Sequence, residues 1–131
     1  MLINWDNKDK KRRKEEEEAE RLKQEYNVRL TNFNDFTYSK RMAINDCKMK
    51  LSGLQPKFDK ETEMKQKLRA KMRKMIEKSG SSALNDDVYR KYDDDLKNHN
   101  VKYKKYKKQI KDLENDIQAY EIEIETERSK I

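Results

Sequence analysis

The sequence predicts an all-α fold, an elongated three-helix coiled-coil arrangement with two long outer helices and a shorter middle one. Three observations carry this expectation. From Tyr89 onward, steps of three and four lead through Tyr92, Leu96, His99, Tyr103, Tyr106, Ile110, Leu113, Ile117, Tyr120, Ile124, Glu127 and Ile131. All but His99 and Glu127 are apolar or aromatic, which is the a/d seam of a coiled coil. Helix breakers are rare, with two glycines and one proline in 131 residues. Finally, 45% of the residues are charged against 33% apolar, and mean hydropathy is −1.43. That mixture is too polar for a thick globular core, whereas long thin helices bury little surface per residue.

The chain reads as a single helical coiled-coil unit over 1–131, with helices at about 6–51, 56–79 and 86–131. The first helix opens with "KKRRKEEEEAER", where Lys11, Arg12, Arg13 and Lys14 each stand four residues before a glutamate. Such pairs support an exposed helix, although the basic-first order is the weaker one. Ala19, Leu22 and Tyr26 keep the heptad step, and Ile44, Cys47, Leu51 and Leu54 keep it again. Between them the stripe drifts through Leu30 and Phe33, the mark of a four-residue stutter.

Two breaks are expected. In "LSGLQP" (51–56), Ser52 and Gly53 end one helix, and Pro56 starts the next, where its missing N–H is harmless. In "KSGSSALNDD" (78–87), Gly80 suits a left-handed position after a helix end, and Asn85 or Asp86 suits an N-cap. Softer interruptions are expected at 32–36 and 98–100. The middle helix has acidic Glu61 and Glu63 near its start and Lys71, Arg73, Lys74 and Lys78 near its end, as the macrodipole favours. Its stripe is Met64, Leu68, Met72, Met75 and Ile76, which serves as a core face or, being methionine-rich, an adaptable partner surface.

The third helix contains "VKYKKYKKQI" (101–110), whose lysines and tyrosines resemble a single-strand grip by composition. Helical geometry argues otherwise. Tyr103 and Tyr106 fall on the seam, while Lys102, Lys104, Lys105, Lys107 and Lys108 fall around the outside. The tyrosines are expected to face a helix, and the lysines to be a solvated flank.

Catalysis is not expected, and no cofactor or metal is. The one histidine, His99, has no nucleophile or acid paired with it by spacing, and one His with one Cys cannot make a structural zinc site. Gly53 and Gly80 are too far apart for a phosphate loop. Cys47 cannot form an internal disulfide and suits a reducing compartment; on the stripe it reads as a small buried hydrophobe. No run is apolar enough to span a membrane, and the N-terminal residues lack the apolar stretch of a secretory signal. An intracellular protein is expected, cytoplasmic rather than nuclear, or one packed into a virion or organellar complex.

The functional expectation is a non-enzymatic structural or interaction subunit that docks by helix packing. Folded up, down and up, helix three would run past its partners. Ile110, Leu113, Ile117, Tyr120, Ile124 and Ile131 would then form an exposed partner seam continuing Tyr103 and Tyr106. Its flanks are acidic (Asp112, Glu114, Asp116, Glu121, Glu123, Glu125), so the expected partner helix is basic. The chain's own Lys8–Lys14 has that character, which makes self-association an alternative. Residues 1–28 would protrude too, leaving Trp5, Leu22 and Tyr26 without cover. The rival class is nucleic-acid binding, favoured by the net charge of +7 and using Lys10, Lys11, Arg12, Arg13, Lys14, Lys104, Lys105, Lys107 and Lys108. A binding-type accessory factor or inhibitor is a third possibility.

Overall fold

The computed structural model describes the backbone of residues 2–131 and the side chains from Asn7 onward; the expected protrusion of Trp5 lies outside those described side chains. The protein has two helices rather than three. Helix α1 runs over Leu2–Ser79, a 3-10 segment over Gly80–Asn85, and helix α2 over Asp87–Arg128. No strand occurs among the described residues. The chain divides into two compact units, Met1–Met42 with Tyr120–Ile131, and Ala43–Ala119.

The break expected at 51–56 is absent. α1 passes through Ser52, Gly53 and Pro56, with Pro56 inside the helix. The physical reason lies in the spacing of the covered residues. Within Ala43–Ala119, Ile44, Cys47, Leu51, Leu54, Phe58, Glu61, Lys65, Leu68, Met72 and Met75 are buried or half-buried at strict steps of three and four. Gly53 and Pro56 fall between these positions, on the outer face. Pro56 forfeits one backbone bond, to the Ser52 carbonyl, but Ser52 is exposed and water can serve that carbonyl. The Ser52 hydroxyl donates back to the Lys48 carbonyl at 3.0 Å, so it continues the helix rather than capping a new one. Local propensity therefore loses to a seam that needs one unbroken helix.

The second break is real. Gly80 adopts φ +59, the left-handed conformation that ends a helix without a Cβ penalty. The Val88 amide donates to the Asp86 carboxylate at 2.8 Å, making Asp86 the N-cap of α2. Ala83, 2% exposed, is the buried plug of this corner. Past it, α2 continues unbroken through 98–100, and α1 likewise runs unbroken through 32–36.

α2 folds back antiparallel to α1. In Ala43–Ala119 the contacts Phe58–Tyr103, Glu61–His99 and Lys71–Tyr92 run in opposite chain directions. In the other unit, Lys40 meets Glu123 and Arg128 lies over the Phe33 ring. The α2 seam expected from sequence is the half-buried face: Tyr89, Tyr92, Leu96, His99, Tyr103, Tyr106, Ile110, Leu113, Ile117, Tyr120, Ile124 and Glu127 all show partial cover. Residues 110–131 are thus not a free overhang. They are lined by α1, because α1 extends through the position where a turn was expected.

The two glycines should respond oppositely to alanine. A Cβ at Gly53 meets nothing within 4 Å, so Gly53→Ala should stabilise by about 0.5–1 kcal/mol. Gly80→Ala should destabilise by about 1–2 kcal/mol, since its φ stays positive. Chemical denaturation monitored by circular dichroism reads both; a stabilising Gly80→Ala would mean the corner does not require that conformation.

Candidate interaction site

The seam holds a polar layer at its middle. His99 Nδ1 lies 2.5 Å from Glu61 Oε2, with side chains 21% and 10% exposed. One turn further along α1, Lys65 Nζ donates to Asn100 Oδ1 at 2.8 Å and sits 3.8 Å from the centroid of the Tyr103 ring. Tyr103 in turn stacks on Phe58, with centroids 4.9 Å apart. Glu61 and Lys65 occupy the inward positions that Leu54 and Leu68 hold on either side, which is why both are buried.

Lys65 has an amide and a ring for partners, and no carboxylate lies within ion-pair reach among the described residues. Burial holds its pKa below the usual lysine value, helped by the charges of Arg69, Lys104 and Lys107. Lys40 is the contrasting case. It too lies on the inner stripe of α1, but its Nζ is 2.7 Å from Glu123 and near the rings of Phe36 and Tyr120. The hydrogen bond to Glu123 raises its pKa.

This cluster has the chemistry of a register device. His99 Nδ1 has Glu61 as its hydrogen-bond partner, and no hydroxyl or thiol shares the pair among the described residues. No group of three or more His, Cys, Asp or Glu side chains is placed to hold a metal ion among the described residues. An open groove of about 550 Å³ lies beside the seam, between Lys50, Leu54, Lys57, Gln109 and Leu113. Mismatching this layer would leave Glu61 or Lys65 buried without a polar partner, a cost that selects one alignment of the two helices.

The residues expected to contact a partner fall into three groups. Tyr103, Tyr106, Ile110, Leu113, Ile117, Tyr120 and Ile124 face α1, and Ile131, 36% exposed, borders a groove with Arg29, Asn32 and Phe33. Lys104, Lys105, Lys107 and Lys108 are exposed, as are Lys10, Lys11, Arg12, Arg13 and Lys14. Cys47 is a buried free thiol.

The surface without cover lies elsewhere, on the arm of α1 that precedes its first contacts with α2. From Lys10 to Asn32 every residue is exposed, including Leu22 at 52%, Tyr26 at 46%, Val28 at 58% and Leu30 at 36%. Leu22, Tyr26, Leu30 and the half-buried Phe33 follow one another at helical steps, so the apolar stripe of α1 continues onto a bare helix. Leu22 and Tyr26 are uncovered as the sequence leads one to expect, and Val28 and Leu30 join them. On the same arm, Arg12 and Arg13 turn back to Asp9 at 3.0 and 3.9 Å rather than forward to Glu16 and Glu17. That is the acid-first orientation favoured on a helix.

No protein-family model, curated protein or solved structure matches this chain. No described helix is long and apolar enough to cross a membrane.

Lys65→Met should stabilise the protein by about 1 kcal/mol near neutral pH, because it removes a buried charge lacking a carboxylate. The sign with pH follows from the lowered pKa. Wild-type Lys65 is penalised fully below its folded-state pKa, and the penalty fades as pH rises towards the unfolded value of 10.5. The advantage of methionine should therefore shrink between neutral pH and pH 10.5. Paired thermal melts measure it; a destabilised variant would show that Asn100 and the Tyr103 ring outweigh desolvation.

The tyrosines and lysines of 101–110 should also separate. Tyr103→Ala with Tyr106→Ala should cost at least about 3 kcal/mol, as aromatic truncation in packed positions does. Lys104→Gln with Lys105→Gln should shift stability by less than about 0.5 kcal/mol. Comparable losses for the two pairs in the same melt would contradict this division of roles.

Proposed function

We propose that the protein is a non-enzymatic coiled-coil subunit that joins or spaces components of a larger intracellular assembly, cytoskeletal, organellar or virion. The observation that carries this reading is the bare arm of α1. A helix whose apolar stripe continues beyond its internal partner offers the surface that another helix would cover. The docking face is Leu22, Tyr26 and Leu30, not 110–131, whose stripe is already covered by α1. The mechanism is helix-on-helix packing, with flanking charge choosing partner and register. The polar layer at Glu61, Lys65 and His99 supports a role in holding geometry rather than converting a substrate.

Nucleic-acid binding is the second reading, and one specific observation favours it. Residues 97–111 carry seven lysines and no acidic side chain, and among the described residues only Lys97 of these makes an ion pair, with Asp93. An array of exposed cations on one stretch of helix is what phosphates require.

One experiment addresses both readings. The tagged full chain is recovered from native extract and its cross-links are mapped, beside a variant with Leu22→Asp, Tyr26→Asp and Leu30→Asp. Cross-links from residues 19–33 to another protein, lost in the variant while its helicity persists, are the expected result. Normal incorporation of the variant would remove the arm from the mechanism. Recovery that collapses with nuclease and steeply with salt would put nucleic acid first.

A further inference from the structure

The charged half of the arm is complementary to itself when reversed. Lys10, Lys11, Arg12, Arg13 and Lys14 are followed without a gap by Glu15, Glu16, Glu17 and Glu18. Turn a second copy antiparallel about an axis near Lys14, and Lys10 stands level with Glu18, Lys11 with Glu17, Arg12 with Glu16 and Arg13 with Glu15. Lys8 then stands level with Glu20. A parallel alignment in register would instead set basic block on basic block and acidic on acidic, which is repulsive at every step.

Three features make these charges available to a partner. All are solvent-exposed. Ion pairing within the arm consumes few of them: Arg12 and Arg13 share Asp9, and Arg21 reaches Glu18 and Glu25. Lys11, Lys14, Glu15, Glu16, Glu17 and Glu20 make no ion pair among the described residues. Space is the third. The C-terminal end of α2 reaches α1 only from Arg29 onward, where Glu127, Lys130 and Ile131 border a groove. An antiparallel arm centred on Lys14 sets its residue 7 beside residue 21, clear of that end.

We propose that two copies of this chain associate through residues 8–20 of α1, antiparallel, with the two-fold axis near Lys14. The interface is isologous, so it closes at two copies and does not propagate. An acidic polymer fits the same surface less well, because Glu15–Glu18 would repel it beside the basic block. The charge pairs that make the contact lie within residues 8–20 and do not use Leu22, Tyr26 or Leu30. Failure of the dimer and failure of the docking reading are therefore distinguishable: one changes the copy number of the purified chain, the other its incorporation into a complex.

The test is sedimentation equilibrium of the purified full chain at about 50 mM and about 500 mM salt. A dimer whose dissociation constant rises about tenfold or more between the two is expected, since exposed charges are screened over a few ångströms at the higher value. Two reversal variants follow, one carrying Lys11→Glu, Arg12→Glu, Arg13→Glu and Lys14→Glu, the other Glu15→Lys, Glu16→Lys, Glu17→Lys and Glu18→Lys. Each alone should be monomeric, and an equimolar mixture should restore a 1:1 dimer, which guards against simple loss of helix in either variant. Spin labels at Lys14→Cys should lie close together, whereas labels at Arg21→Cys should be separated by about 20 Å or more. A wild-type monomer at low salt, a dimer that survives both reversals, a mixture that stays monomeric, or short distances at both label sites would each overturn the proposal.

Discussion

The structure depends on one constraint, the uninterrupted alternation of three- and four-residue steps along both helices. A stripe with that period keeps facing a neighbouring helix over many turns, and any break in either helix would rotate the remaining residues away. On α1 the period holds across Ser52, Gly53 and Pro56, three residues that would each weaken an isolated helix. Proline alone costs about 3 kcal/mol in a helix interior. The partial cover of Leu51, Leu54 and Phe58, lost if the helix ends there, opposes that cost. The breakers are confined to the outer face, where a missing backbone bond can be replaced by water.

A thin seam has little apolar surface to spare, so its polar members matter disproportionately. Thr37, Lys40, Glu61 and Lys65 all occupy the inner stripe of α1, and each is satisfied in its own way. Thr37 accepts from Arg41 at 2.7 Å. Lys40 has Glu123, Glu61 has His99, and Lys65 has Asn100 with an aromatic ring. Hydrophobic packing alone is tolerant of sliding by a heptad, whereas the pairings of Lys40, Glu61 and Lys65 with α2 are not; that of Thr37 lies within α1. The division of labour follows: leucine, isoleucine and tyrosine supply the attraction, and the polar residues set where it acts.

This division also explains what the sequence made legible. The α2 seam was readable residue by residue from Tyr89 to Glu127 because its members are almost all apolar, and the corner at Gly80 and Asp86 was readable because each residue there has one conformational use. Beyond Leu54 the α1 stripe is legible only in part: Leu68, Met72 and Met75 stand on it as their apolar spacing indicates. Glu61 and Lys65 lie on it too, where no hydropathy pattern would place them, while the same apolar pattern adds Met64 and Ile76. Of these, Ile76 is 42% exposed. Reading the Gly–Pro pair as a turn then shortened the first helix and created an apparent overhang at 110–131. With α1 unbroken through 51–56 that overhang does not arise.

The same physics separates the arm from the rest of α1. From Lys10 to Val28 every side chain of the helix is exposed, and helices without a packed neighbour rely on local terms alone. The arm is accordingly built from strong helix formers and short-range charge pairs rather than from a core stripe: between Lys10 and Ala19 every residue but Ala19 is charged. Such a helix persists without tertiary support yet keeps its side chains in solvent. Exposed apolar side chains occur elsewhere on α1, at Tyr38, Met42 and Met49, but singly and beside the covered stripe. In Leu22, Tyr26, Val28 and Leu30 they form a run on a stretch of helix where every side chain is exposed. Neither local helix stability nor internal packing requires bulky apolar residues there, and each exposes area that costs about 25 cal/mol per Å² to keep in water. A partner helix packed on Leu22, Tyr26 and Leu30, as proposed above, would remove that cost.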